Sequence, residues 1–124
     1  MKDPSSPVCR TISTLLSRIG DKWTVLVVQT LGEGSKRFNE LRREIPSVSQ
    51  RMLTLTLRNL ERDGIVSRTV TPSMPPRVDY ELTALGHSLL KPITALTEWA
   101  LEHIEQIHQA QASFDAEQVK AEAA

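Results

Sequence analysis

Between Arg37 and Gly64 the chain breaks its direction once, and that break limits what it can fold into. Phe38, Leu41 and Ile45 fall at helical spacing, which predicts a short helix over residues 37–45. Pro46 ends it, because a proline drives its predecessor out of the helical region. Ser47 and Ser49 then offer N-caps for a longer helix that runs to Asp63 and closes on Gly64. A short helix, a turn of about four residues and a longer helix make the helix-turn-helix outline. The longer helix keeps one face on the core and leaves the other turned outward.

The flanking sequence completes a small domain. Val8, Ile12, Leu15, Leu16 and Ile19 predict a first helix from Val8 to Arg18 that Gly20 stops. Asp21 caps a second, Lys22 to Leu31, carrying Trp23, Leu26, Val27 and Leu31. The run Val25–Val28 also suits a strand, but the cap and the Gly32/Gly34 stop favour a helix. After Gly64, residues 65–71 and 77–82 read as strands, with Val78, Tyr80 and Leu82 alternating. Pro72 to Pro76 cannot join a ladder, so the strands form a hairpin with a stiff tip. Thr83 caps a final helix expected to reach about Gln109, kinked or broken at Pro92. The expected architecture is mainly α with a small β-hairpin, in the order α-α-α-α-β-β-α. It is a winged helix-turn-helix domain over residues 8–108, with flexible ends at 1–7 and 110–124. A chain of 124 residues, 40% apolar, suits one core.

The formal net charge is zero, but its distribution is uneven. Ser35 to Tyr80 holds nine basic and five acidic residues, a net +4, whereas Glu81 to the end holds two and seven, a net −5. A basic middle points to an anionic partner for that segment alone. Cys9 is the only cysteine, the first residues lack the apolar core of a signal peptide, and the longest strongly apolar run is Val25–Val28. A cytoplasmic chain with no membrane partner is expected. No phosphate-binding glycine loop, HExxH or nucleophile elbow is present. His87, His103 and His108 are not at metal-ligand spacing. No enzyme activity, cofactor or metal site is expected.

On a helical wheel of residues 50–62, Leu53, Leu57 and Leu60 share a core-facing arc, while Arg51, Thr54, Leu55, Arg58 and Arg62 lie opposite, with Gln50 flanking. Arginine pairs bidentately with guanine, glutamine with adenine, and a Leu or Thr methyl touches the thymine methyl. The first turns of such a helix make most base contacts, so Ser49, Gln50, Arg51 and Thr54 are the candidate readers. Ser47 belongs to the same turn. Arg58 and Arg62 are better placed for phosphates. A solvated helix face carries arginines just as often; the preceding turn, the following basic hairpin and an outward Leu55 favour DNA. Arg77 and the PSMPP loop reach the duplex beside this helix, or else Arg77 simply pairs with Asp79 on the same strand face. Lys36 and Arg37, where the short helix starts, suit phosphate contact or a solvated loop. The last helix carries Leu89, Ile93, Leu96, Trp99 and Ile104, more apolar surface than one small domain needs. That predicts pairing with a second copy, packing on the chain's own first helix, or both.

These residues have a familiar arrangement. Cys9, GDKW at Gly20–Trp23, RFNELRREIP at Arg37–Pro46, SQRMLTLTLRNLERDGIVSR at Ser49–Arg68 and PPRVDYELTALG at Pro75–Gly86 resemble the HxlR-type winged helix-turn-helix regulators. The likeness covers Cys9 to about Ile104, and the PPRVDYELTALG run is its most specific part. It implies a bacterial regulator, a homodimer joined through the first and last helices, that binds a pseudo-palindromic double-stranded operator. It further implies control of a nearby gene, as repressor or as activator, in redox, electrophile or xenobiotic response, with an oxidant or small-molecule effector. Family members often carry a cysteine in this region followed by proline; here Arg10 follows Cys9. Cys9 has two readings. One is a sensor thiol whose thiolate the helix N-terminus and Arg10 favour. The other is a small buried hydrophobe. A different class of function is a winged-helix protein-interaction module without DNA binding, which the basic helix face disfavours.

Overall fold

In the computed structural model, residues 5–123 are described; the expectation of a loose arm at 1–7 falls largely on residues outside that range. Ser6 accepts from the Cys9 N–H at 3.0 Å and Pro7 occupies the first turn, so α1 spans Pro7–Ile19. Gly20 ends it at an ordinary φ of −77°. Asp21 accepts from the Trp23 N–H at 2.9 Å and starts α2, Lys22–Leu31, so the strand alternative for Val25–Val28 is overturned by the cap. α3 is Phe38–Glu44 and α4 is Gln50–Arg62. β1 (Val66–Thr71) and β2 (Arg77–Leu82) pair antiparallel from Val66↔Leu82 to Thr71↔Arg77. α5 runs Ala84–Ala123.

Two differences from expectation concern α5. The helix is continuous through Pro92, so of the two expected effects of that proline the break does not occur. The helix also continues to Ala123 rather than ending near Gln109. After Pro92 the segment holds neither glycine nor proline and is rich in Ala, Gln and Glu, which favour the helix even without an apolar pattern. The chain divides into two compact units, one ending at Lys91 and the other starting at Pro92.

The core of the first unit is aliphatic. Val27, Val28 and Leu31 of α2, Leu41 of α3, and Leu53, Leu57 and Leu60 of α4 are buried, and Ile65, Val66 and Leu82 close it at the base of the hairpin. In α2 the buried face includes Thr24 and Val28, while Leu26 is turned outward. α1 has no buried residue and leaves Val8, Leu15 and Leu16 exposed. Its last turn is tied to the far end of α4: Arg18 reaches both carboxylate oxygens of Asp63 at 2.5 and 2.6 Å, with both side chains mostly shielded. That guanidinium also offsets the unfavourable placement of an acid at a helix C-terminus.

α4 ends in a Schellman arrangement. The Gly64 N–H bonds the Glu61 oxygen at 3.1 Å and the Ile65 N–H the Leu60 oxygen at 3.0 Å, with Gly64 at φ +77°, a conformation glycine adopts freely. Thr83 then locks hairpin to helix. Its N–H bonds the Ile65 oxygen at 3.0 Å, its hydroxyl donates to the Gly64 oxygen at 2.6 Å, and the same hydroxyl accepts from the Gly86 N–H at 3.1 Å as the cap of α5. Gly86 is buried against this junction, where an added Cβ would collide with the Ile65 carbonyl oxygen. Because backbone cannot swing aside, Gly86→Ala should destabilise the fold by about 1–3 kcal/mol. Urea melts of the two proteins measure this, and an unchanged midpoint would mean the junction is looser than described.

Candidate nucleic-acid interface

The turn between α3 and α4 is fixed from inside. Val48 is buried, and its N–H bonds the Ile45 oxygen at 3.1 Å. That burial decides which of the two serines caps α4. Ser49 has φ −75° and ψ 156°, and its hydroxyl accepts from the Met52 N–H at 3.0 Å; Ser47 is exposed on the turn and is not the cap. Gln50 and Arg51 thus occupy the first turn of α4 and are exposed.

The two arcs of α4 separate as the wheel requires. Leu53, Thr56, Leu57 and Leu60 are buried, while Arg51, Thr54, Leu55, Arg58 and Arg62 together line one open surface. Among the described residues none of these three arginines forms an ion pair, so all three guanidinium groups remain available. The Thr54 hydroxyl donates to the Gln50 oxygen at 2.8 Å. Its proton is therefore used within the helix, and Thr54 presents a lone pair and a methyl outward. It can accept from cytosine N4–H or adenine N6–H, or touch a thymine methyl, but cannot donate without breaking that bond. Leu55 is 52% exposed at the edge of this basic face, where it also lines a cleft with Thr14 and Arg18 of α1.

The hairpin stands beside α4 and α3. Lys36 joins it as a single extra rung: its N–H bonds the Tyr80 oxygen at 2.9 Å and its carbonyl accepts from the Tyr80 N–H at 2.8 Å. The Lys36 ammonium lies 2.9 Å from Glu44, whose carboxylate holds the lysine above its ordinary value of 10.5. Its charge is partly spent inside the protein, so Lys36 anchors the hairpin to α3 as well as facing solvent. Arg37 caps α3 through its own N–H, which donates to Glu40 at 3.0 Å, leaving the exposed side chain outward. Arg77 pairs with Asp79, Nε to carboxylate at 3.0 Å. This is the strand-face pairing weighed from the sequence, and it leaves both terminal nitrogens of the guanidinium as donors.

Two arginines counted in the sequence only as charge join these groups. Arg43 lines a groove between α3 and the hairpin with Arg37, Asn39 and Arg77. Arg68 lines a second, between α4 and the hairpin, with Thr54, Arg58 and Tyr80. Arg43 lies two residues beyond the buried Leu41 and so faces out; Arg68 lies opposite Tyr80 in the ladder. The strand register was the available signal for Arg68.

The remaining candidates lie elsewhere. Cys9 is half-buried in the first turn of α1. Along α5, Leu89 is half-buried, Leu96, Trp99 and Ile104 are exposed, and Ile93 is only 2% exposed within the single chain. Trp99 and His103 stack with ring centroids 4.7 Å apart, and His103 Nδ1 lies 2.7 Å from the Trp99 oxygen, so that histidine is engaged on its own helix. No helix among the described residues is long and apolar enough to cross a membrane.

Comparison with known proteins gives one direction. The HxlR-like helix-turn-helix family model matches residues 18–108. The HTH-type transcriptional regulator YdeP of Bacillus subtilis (strain 168), itself uncharacterized, is 42% identical over 106 residues, 86% of this chain and 83% of YdeP. Among solved structures, the reduced form of the redox regulator HypR is similar with a TM-score of 0.74 at 41% identity, covering 80% of this chain and 98% of HypR. The transcriptional regulator YtfH from Salmonella typhimurium has a TM-score of 0.76 at 32% identity, over 89% of this chain and 95% of that one.

The two serines of the turn now make separable contributions. Ser49→Ala should lower stability by about 1 kcal/mol through loss of the cap, while Ser47→Ala should change it by no more than about 0.5 kcal/mol. Thermal melts of the two variants decide this; equal losses would contradict the assignment of the cap.

Proposed function

This chain belongs to the HxlR-like helix-turn-helix family, and on that footing we propose that it is a DNA-binding transcriptional regulator, acting as a repressor, that reads a pseudo-palindromic operator as a homodimer. The observation that carries the reading is the outer arc of α4. Three unpaired arginines, an outward acceptor at Thr54 and an exposed Leu55 stand back to back with a fully buried leucine arc. A half-exposed leucine beside three arginines matches a major groove, which offers thymine methyls and guanine edges together.

The roles divide by position. Ser49, Gln50, Arg51 and Thr54 read bases from the first turns of α4, and Arg58 contacts phosphate. Arg37 and Arg77, with Arg43, grip the backbone from the groove between α3 and the hairpin. Ser47 and Lys36 support that grip from the turn and the hairpin base. The second copy pairs through apolar side chains a single chain leaves in water: Val8, Leu15 and Leu16 on α1 and Leu96, Trp99 and Ile104 on α5. Leu89 and Ile93 lie at the shielded start of that stretch.

A response to oxidants or electrophiles through Cys9 completes the reading. Its support is the likeness to the redox regulator HypR and the placement of a half-buried thiol on α1, whose other end is clamped to α4 through Arg18 and Asp63. The comparison is wild type against Cys9→Ser, each treated with a quinone or hypochlorite before operator binding is measured. Treatment should weaken wild-type binding and leave the serine variant unaffected; equal responses, or none, remove Cys9 from the mechanism.

Selection of bound duplexes from a random library tests DNA reading directly. It should return half-sites about 10 base pairs apart, or a multiple of that. Affinity for the selected operator should fall with salt at a log–log slope of about −5 to −9 if six to ten phosphates are contacted. Arg51→Ala should cost about 1–3 kcal/mol on that operator and relax its base preference. No enrichment, with weak salt-independent binding to any duplex, would favour a protein-interaction module instead.

A further inference from the structure

The tip of the hairpin is the part of this surface that carries no charge. Between Thr71 and Arg77 it reads Pro72-Ser73-Met74-Pro75-Pro76, and Met74 is 99% exposed. The tip is stiff: three prolines fix their own φ, and the Ser73 hydroxyl donates to the Pro75 oxygen at 2.7 Å across Met74. A large apolar side chain is thus carried almost wholly in water on a loop whose backbone is constrained. In the free chain this arrangement gains nothing.

A tip meant to grip phosphate would carry a cation. Here the cations sit beside it: Arg77 forms the last rung before the tip, opposite Thr71, and lines a groove with Pro76 and with Arg37 and Arg43 from the start and end of α3. Phosphate contacts there would bring the uncharged tip forward over the adjoining groove of the duplex. The minor groove is narrow and chemically degenerate, so a protein reads it by width and by how readily its steps open. Proteins that do so insert apolar side chains, methionine and proline among them, between stacked bases. Methionine suits the role because it is unbranched and its polarizable sulfur packs well against aromatic faces.

We propose that Met74 is an apolar wedge that enters the minor groove flanking each half-site and partly unstacks a flexible pyrimidine–purine step, so that the hairpin reads DNA deformability while α4 reads base edges. The inference rests on the operator-binding reading above. It predicts that part of the operator's sequence preference lies at positions no hydrogen-bonding side chain touches.

The test uses the full-length protein and the operator recovered by selection, in versions carrying a TA step or a stiff A-tract at the flank. A fluorescent adenine analogue placed at the flanking step reports unstacking. Wild type should brighten the analogue on binding and prefer the flexible flank by about tenfold. Met74→Ala, which removes only exposed atoms, should melt like wild type and keep its half-site preference and salt slope, but lose both the brightening and the flank preference. Met74→Leu should restore them. Arg51→Ala should do the reverse, altering half-site preference with the flank signal intact. If wild type binds its operator specifically but Met74→Ala shows the same flank preference and signal as wild type, the wedge is wrong and the regulator reading stands. If wild type shows no sequence-specific binding, the regulator reading itself fails and the wedge with it.

Discussion

Four backbone segments meet at Thr83, and the geometry of the first unit depends on that meeting. Its amide extends the strand ladder to the Ile65 oxygen, and its hydroxyl joins the Gly64 oxygen on one side to the Gly86 N–H on the other. One residue therefore fixes the end of α4, the start of β1, the end of β2 and the first turn of α5. Each of these is a terminus, where backbone groups lack partners of their own. The Thr83 hydroxyl and amide together satisfy the Gly64 and Ile65 oxygens and the Gly86 N–H. The leucine arc of α4 holds the helix to α2, but the junction sets the direction in which the hairpin leaves it.

The face that meets solvent is organised in two tiers. On α4 the arginines are unpaired and long, and the helix itself is held by the buried arc behind them. On the hairpin and its anchor the cations are tied, Lys36 to Glu44 and Arg77 to Asp79. Each of these pairs has one partner open to solvent and so adds little stability; its effect here is to orient. They hold two cationic side chains near α3 in defined positions and leave spare donors outward. A chain of zero net charge thereby presents a basic surface, with many of its acids gathered along α5.

What the sequence makes legible is what neighbouring residues decide. Asp21, Pro46 and Gly64 mark helix ends by local chemistry, and each lies at an observed boundary. The outward arc of α4 is equally local, since a wheel needs only the helix. Less was legible where partners are distant. Arg18 and Asp63 are 45 residues apart, and Lys36 finds Tyr80 across the domain. Ser47 and Ser49 look alike until Val48 is seen to be buried between them, which only the core can decide. The extent of α5 is hidden for a different reason: apolar spacing marks where a helix is packed, whereas intrinsic propensity carries it further, as residues 110–123 show. Arg43 and Arg68 were visible as charges but not as members of a groove, because a groove has two walls from different parts of the chain.

The burial of Gly86 under Ile65 bears on how separable this architecture is. Hairpins that extend from a domain look like interchangeable parts, and exchanging them between relatives is an obvious route to altered operator preference. In this chain the hairpin's lower end has no surface of its own: it shares backbone contact with the first turn of α5, at a spot that accepts no side chain. The transplantable unit therefore runs from Gly64 through Gly86, with the threonine and the second glycine included. A graft that stopped at Leu82 would carry the tip and lose the hinge that aims it.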